Sequence, residues 1–189
     1  YKESPQSEIM SAYIYNASFP LIKDTLKNLN TFEPKLSLRI SPHEMKNNSS
    51  LERRIDTGNI FSDNRLILED SLETGESVTL GLNFKKEKVN IKKEIKEIEE
   101  YFDFKLATVF RLNEEKDIPI SSSLNKKTSN IFGQLNFKPT KNILLDYNFS
   151  LNNDLNYLEY NSINAKLIHN NFSTQFNYLE ERGIIGIKM

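Results

Sequence analysis

Side chains that could perform catalysis or bind a metal are few and scattered in this sequence. The two histidines, His43 and His169, lie in a predicted loop and a predicted turn, and neither has another histidine or a carboxylate at metal-ligand spacing. The paired glutamates at 99–100, 114–115 and 180–181 are adjacent, so they point to opposite faces in a strand and are solvated in a loop. No phosphate-binding glycine loop or nucleophile elbow occurs. We therefore expect no enzyme activity, no metal and no cofactor, and we expect both histidines to be solvated.

The elements that would position any site show a period of two. Segments such as Ile143–Leu151 place an apolar or aromatic side chain at nearly every second position, which is typical of strands with one apolar and one polar face. Asn, Asp and Pro between the later segments predict hairpin turns, so neighbouring strands should be antiparallel. Two polar stretches, 42–64 and 113–129, predict long loops. The predicted strands are 9–19, 35–41, 65–70, 77–86, 102–112, 131–138, 143–151, 158–168 and 172–179.

A charged insertion at 86–101 interrupts this period. Ile91, Ile95, Ile98 and Phe102 recur at helical spacing among lysines and glutamates. This pattern predicts a short amphipathic helix near residues 88–100, docked at the rim of the sheet, or else a long charged hairpin tip.

Composition excludes several classes of protein. The chain has 189 residues, of which 38% are hydrophobic and 27% charged, with a net charge of −1, so neither nucleic acid nor a polybasic membrane contact is expected. The absence of cysteine excludes a disulfide framework within the sequence. No apolar run is long enough for a membrane helix, so any membrane crossing must use strands. Because the sequence starts at Tyr1 without a targeting segment, we expect it to be an internal segment of a longer protein.

The decisive question is which face of the strands is buried. In a soluble sandwich the apolar faces pack together, whereas in an outer-membrane barrel they contact lipid and the polar faces surround water. Predicted strands of about nine to eleven residues, and connections that are long at 42–64 and 113–129 but short at 139–142, favour the barrel. We predict an all-β, antiparallel up-and-down meander that forms part of a transmembrane β-barrel, with residues 1–189 in one domain. A soluble adhesion or carbohydrate-binding module remains the alternative.

Three motifs in a fixed order resemble one protein family. They are Thr31-Phe-Glu-Pro-Lys-Leu-Ser-Leu38, Asn59-Ile-Phe-Ser-Asp-Asn-Arg65 and Glu73-Thr-Gly-Glu-Ser-Val-Thr-Leu-Gly-Leu82. They resemble motifs of the LptD (OstA/Imp) family of lipopolysaccharide-assembly proteins. In that family the corresponding motifs are an L-E-P strand start, an N-x-F-x-x-N-R loop element and an acidic-glycine turn that leads into a T-x-G-L strand. Segments 123–133 and 158–165 also resemble this family, so the similarity spans about residues 9–182. A porin or receptor barrel would share the architecture but not these motifs.

The resemblance implies a function and a set of partners. It implies part of the C-terminal barrel of a protein in the outer membrane of a Gram-negative bacterium, which delivers lipopolysaccharide to the outer leaflet without catalysis. The implied partners are lipopolysaccharide, an LptE-like plug lipoprotein, outer-membrane lipid, and a periplasmic Lpt bridge reached through an N-terminal domain. That domain, the seam strands of the barrel and the family's cysteines fall outside this sequence.

The barrel interpretation assigns a role to each face of the strands. The residues expected to face lipid are Val78, Leu80, Leu82, Phe84, Phe104, Leu106, Phe110, Leu135, Phe137, Leu145, Tyr147, Phe149, Phe172, Phe176 and Tyr178. The residues expected to face the lumen are Lys85, Asp103, Lys105, Arg111, Gln134, Lys138, Asp146, Asn148, Lys166 and Gln175. Charged side chains on the second face would remain in water.

Overall fold

One antiparallel sheet dominates the chain. The computed structural model describes residues 9–25, 27–92 and 95–182, and the side chains of these residues except at 89–100. The strands are β1 (Tyr13–Ser18), β2 (Leu21–Asp24), β3 (Asn28–Ser41), β4 (Gly75–Lys92), β5 (Ile95–Arg111), β6 (Ile131–Thr140), β7 (Ile143–Leu151), β8 (Leu158–His169) and β9 (Phe172–Glu181). These nine strands pair in the order β1-β3-β4-β5-β6-β7-β8-β9, and β2 pairs with β3.

The sheet is an open meander, as predicted, with β1 and β2 at one edge and β9 at the other. The described ranges contain no second sheet of the kind that a soluble sandwich requires. They also contain no helix long and apolar enough to cross a membrane. Residues 1–8 and 183–189 of the predicted domain lie outside the described ranges.

One predicted strand is absent and one observed strand was not predicted, so the number of strands was right although two assignments differ. Residues 65–70 form turns rather than a strand, and Ile67 and Asp70 have positive φ values of 49° and 52°. The alternation there reflects Leu66 and Leu68 packing into a loop core. The missed strand, β2, is short and is separated from β1 at Phe19 and Pro20, because proline cannot donate a ladder hydrogen bond.

The predicted helix near residues 88–100 was also wrong, whereas the alternative of a long charged hairpin was right. Residues 93 and 94 lie outside the described ranges, but β4 and β5 pair on either side of them, from Lys92 with Ile95 back to Ser77 with Arg111. The apolar residues at helical spacing are divided between the two strands, because Ile91 belongs to β4 whereas Ile95, Ile98 and Phe102 belong to β5. Since β3 pairs with β4 only as far as Lys88, and β6 with β5 only as far as Tyr101, the hairpin extends beyond its neighbours.

The two ends of the sheet differ in their connections. At one end, here the short-turn end, two residues join β6 to β7 (141–142) and two join β8 to β9 (170–171). At the opposite, long-loop end lie the connections 42–74, 112–130 and 152–157. The first of these is longer than the predicted loop 42–64, because residues 65–70 belong to it.

The apolar face of the sheet is continuous across the strands. The register aligns Phe32, Phe84, Phe104, Leu135, Tyr147, Ile163 and Tyr178 in a single row. Each residue predicted to contact lipid shares this face, because strand side chains alternate. The face is open: Leu80, Phe110 and Phe176 are 46%, 42% and 59% exposed. In water this would be a large uncovered apolar surface.

The buried core lies on the other face, under the long loops. Val109 from β5 and Phe132 from β6 meet Ile60 and Leu66 from loop 42–74 and Leu124 from loop 112–130. The two polar stretches are therefore packed against the sheet at its long-loop end, where polar-face positions carry Ala107 and Val109 instead of charges. This packing orders the loops.

Gly133 on β6 provides room for an aromatic ring on the apolar face. A Cβ atom added at Gly133 would lie 2.1 Å from the Cζ atom of Phe149 on β7. Alanine normally stabilises a strand by about 0.5–1 kcal/mol relative to glycine. Here the ring must move, so we expect Gly133→Ala to lower the free energy of unfolding by about 1–3 kcal/mol in a denaturant titration. The loss should shrink in a Phe149→Leu background; an undiminished loss there would contradict this packing.

Candidate functional site

The polar face brings together side chains that are far apart in the sequence. In the register, Lys85 is opposite Asp103, Lys105 opposite Gln134, and Lys166 opposite Gln175. The ten residues predicted to face a lumen all lie on this one face: Lys85, Asp103, Lys105, Arg111, Gln134, Lys138, Asp146, Asn148, Lys166 and Gln175. Except for Arg111, each is half-buried or exposed.

Polar contacts connect several of these side chains across the strands. Lys105 Nζ lies 3.6 Å from Asp103 Oδ2 and donates to Gln134 Oε1 at 3.4 Å. Beyond the predicted set, Asn83 Nδ2 donates to Glu33 Oε2 at 3.0 Å. The alternation that identified Lys85 also indicates Asn83, two residues earlier on the same strand. The result is a surface of mixed charge and many hydrogen-bond donors and acceptors, suited to binding polar groups.

Arg111 differs from the other predicted residues because it is buried in an ionic cluster. Glu73 Oε2 accepts from Arg65 Nε at 2.7 Å, and Glu73 Oε1 accepts from Arg65 Nη2 and from Arg111 Nη1, each at 2.6 Å. Arg39 Nε lies 3.9 Å from Glu73 Oε2. All four side chains are 5% exposed or less. One carboxylate thus holds three guanidinium groups between β3, β4, β5 and loop 42–74.

Other guanidinium donors of Arg65 and Arg39 find neutral acceptors. Arg65 Nη1 donates to Thr79 Oγ1 at 2.9 Å and Arg65 Nη2 to Ser77 Oγ at 3.1 Å. Arg39 Nη2 donates to the carbonyl oxygens of Ser62 and Asp63 at 3.0 and 2.9 Å. These bonds fasten loop 42–74 to the polar face at the long-loop end.

The arginines control the ionisation of Glu73. Burial alone would raise the pKa of the Glu73 carboxyl, but the charge and hydrogen bonds of Arg65, together with the charges of Arg39 and Arg111, hold its pKa below its usual value. Glu73 therefore stays ionised within the cluster. The sequence pattern did not indicate Arg39, Arg65 or Glu73 as site residues, although Arg65 and Glu73 lie within the family-like motifs.

The histidines occupy different environments. His43 is half-buried rather than solvated, because its Nδ1 lies 3.0 Å from the carbonyl oxygen of Ser11 and its Nε2 lies 3.3 Å from that of Leu72. It therefore links the segment before β1 to loop 42–74. His169, the last residue of β8, is exposed as predicted. In the described part of the chain no three His, Cys, Asp or Glu residues are grouped so that they could hold a metal ion.

Comparison with known proteins agrees with these motifs. The family model described as "LptD: LPS transport system D" matches residues 2–184. No curated protein gives a match to the chain. Since the family match covers nearly the whole sequence, the chain belongs to the LptD family and has a role in lipopolysaccharide transport and assembly.

Proposed function

We propose that this chain is part of the wall of an outer-membrane β-barrel that delivers lipopolysaccharide to the outer leaflet of a Gram-negative bacterium. The observation that carries the proposal is the single sheet with an uncovered apolar face and a polar opposite face. In a barrel, lipid would cover the first face and water the second. Residues 1–189 would form part of one barrel domain.

The dimensions of the strands support a membrane location. A tilted strand needs about 9–11 residues to cross a bilayer, and β6 to β9 have 9 to 12. The short turns and long loops lie at opposite ends, as in outer-membrane barrels, where the short turns are periplasmic. In this orientation the β4–β5 hairpin would project into the periplasm.

The polar face would contact the saccharide and phosphate groups of the transported lipid. Lysine and arginine can bind phosphate, while asparagine, glutamine and carboxylate side chains can bind sugar hydroxyls. The accessible pairs Lys105–Gln134 and Lys166–Gln175 provide both types of group at neighbouring positions. The proposed role is passage of cargo without covalent chemistry.

We propose the same interior as the docking surface for an LptE-like plug lipoprotein. The periplasmic Lpt bridge would deliver cargo through an N-terminal domain of the longer protein. These assignments follow from the family and from the polar character of the face.

Photo-crosslinking in cells tests the assignment of the faces. A photoreactive amino acid at Lys105 or Lys166 in the full-length protein should capture lipopolysaccharide or the plug lipoprotein. The matched controls are Leu106 and Ala165, which are adjacent in sequence but on the apolar face. They should capture neither the plug nor cargo in transit. Equal capture of the plug and cargo from both faces would contradict the proposal.

A further inference from the structure

Part of loop 42–74 lies across several strands on the polar face. Residues 54–65, here called the strap, contact β9 and β8, then β6, then β4. Arg54 reaches β8 and β9, Thr57 Oγ1 lies 3.2 Å from Gln134 Oε1 on β6, and Arg65 bonds to Ser77 and Thr79 on β4. A Cβ atom added at Gly81 on β4 would lie 2.5 Å from the ring of Phe61, so this ring lies directly on the sheet. The strap therefore spans the face from β9 to β4.

The two ends of the strap are attached in different ways. At the Arg65 end, Arg65 and Glu73 are buried, and Ile60 and Leu66 belong to the core. At the other end, Arg54 forms an ion pair with Glu181 at 2.6 Å and lies 4.0 Å from the centre of the Tyr160 ring. Both partners of this ion pair are about half exposed, at 47% and 53%.

The intervening segment is anchored to the core at one position. Between residues 54 and 59, Ile55 is the buried apolar side chain, and it is 2% exposed. The turn at 56–60 is closed by its own bonds, since Asp56 Oδ1 accepts from the backbone N–H groups of Gly58 and Asn59 at 2.7 and 3.0 Å. Residues 56–59 can therefore move relative to Ile60 without losing those bonds.

We propose that the strap is a gate over the polar face, hinged at its buried Arg65 end and latched at Arg54. When the latch opens, residues 54–59 lift away from β6, β8 and β9, which withdraws Ile55 from the core and exposes the side chains beneath the strap. The gate would set access to the interior at the long-loop end. This inference rests on the proposed function, because a gate over the polar face controls transport only if that face lines a passage.

Cysteine labelling in the full-length protein tests the latch. Thr57→Cys places a reporter on the side of the strap that faces the sheet. Its reaction with a water-soluble maleimide is quantified at residue 57 by mass spectrometry. We expect Arg54→Glu to raise the labelling rate about fivefold or more, which corresponds to the loss of one exposed ion pair and one exposed cation–π contact. Adding Glu181→Arg should restore the original rate. Arg182→Glu, which changes the same charge beside Glu181, should leave it unaltered.

A second measurement needs no cysteine. The backbone N–H of Arg53 donates to Ser121 Oγ at 2.9 Å, so hydrogen exchange of a peptide containing residues 51–57 also reports the opening. Unchanged labelling and exchange in Arg54→Glu, or no restoration by Glu181→Arg, would overturn the gate. Both readouts work in detergent, so they report strap motion whether or not the crosslinker at Lys105 captures cargo.

Discussion

Replacing Glu73 by glutamine is expected to lower the free energy of unfolding of the full-length protein by about 3–5 kcal/mol. The carboxylate accepts hydrogen bonds from Arg65 and Arg111 at 2.6–2.7 Å, and Arg39 lies 3.9 Å away. Removing its charge leaves three buried guanidinium groups without a counter-charge. An uncompensated buried charge costs far more than a surface ion pair contributes.

The matched control is Glu76→Gln, three residues along the chain. Glu76 is exposed at the second residue of β4, so the same loss of charge should change the stability by less than about 0.5 kcal/mol. Denaturant titrations of both variants in the same bilayer provide the comparison. Similar losses at the two positions would show that the cluster does not hold loop 42–74 on the sheet.

The same cluster predicts a direction of acid sensitivity. Because the folded-state pKa of Glu73 is depressed, its contribution to stability is complete above the unfolded-state pKa of about 4.3. The contribution is lost as the pH falls from that value through the lower folded-state pKa. We expect the stability difference between the parent protein and Glu73→Gln to shrink on acidification below about pH 4.3. A difference that grew in acid would contradict the assigned direction.

Leu106→Arg is expected to cost about 2–4 kcal/mol of folding stability in a bilayer. Leu106 lies midway along the apolar row of β5, between Leu82 on β4 and Gly133 on β6. If this row contacts the middle of the hydrocarbon layer, a guanidinium there must be desolvated or must distort the bilayer. The measurement is the free energy of unfolding in lipid vesicles.

Asn148→Arg is the control because it introduces the same side chain on the polar face of β7. Asn148 is half-buried between Gln134 and Ser162, in polar surroundings. We expect a change of less than about 1 kcal/mol, as for an ordinary surface substitution. A cost at Asn148 as large as that at Leu106 would remove the distinction between the two faces.

The sequence predicted the meander because strand periodicity is a local signal. Alternation in segments such as 77–86 and 143–151 gave both the strands and the residues that share each face. The same rule failed at 65–70, where apolar residues at alternate positions pack into a loop core. It also failed at 88–100, where apolar residues at helical spacing are divided between the two strands of a long hairpin.

The ionic cluster and the strap could not be derived from periodicity, because they depend on contacts distant in the chain. Glu73 binds Arg111 across 38 positions, and Arg54 binds Glu181 across 127. Nothing local to Arg54 indicates its partner. Residues 42–64 were predicted to form a long loop because they are polar, whereas the few apolar residues and the buried ions of loop 42–74 are enough to order it over the sheet.

Lipid quenching of single tryptophans tests most directly whether the apolar face contacts lipid and the polar face does not. The sequence contains no tryptophan, so Phe104→Trp on the apolar face and Asn148→Trp on the polar face can each serve as the reporter within it. In vesicles of lipid brominated near the middle of the acyl chains, we predict strong quenching of the fluorescence at position 104 and little at position 148. Equal quenching at both positions, or stronger quenching at position 148, would contradict the account.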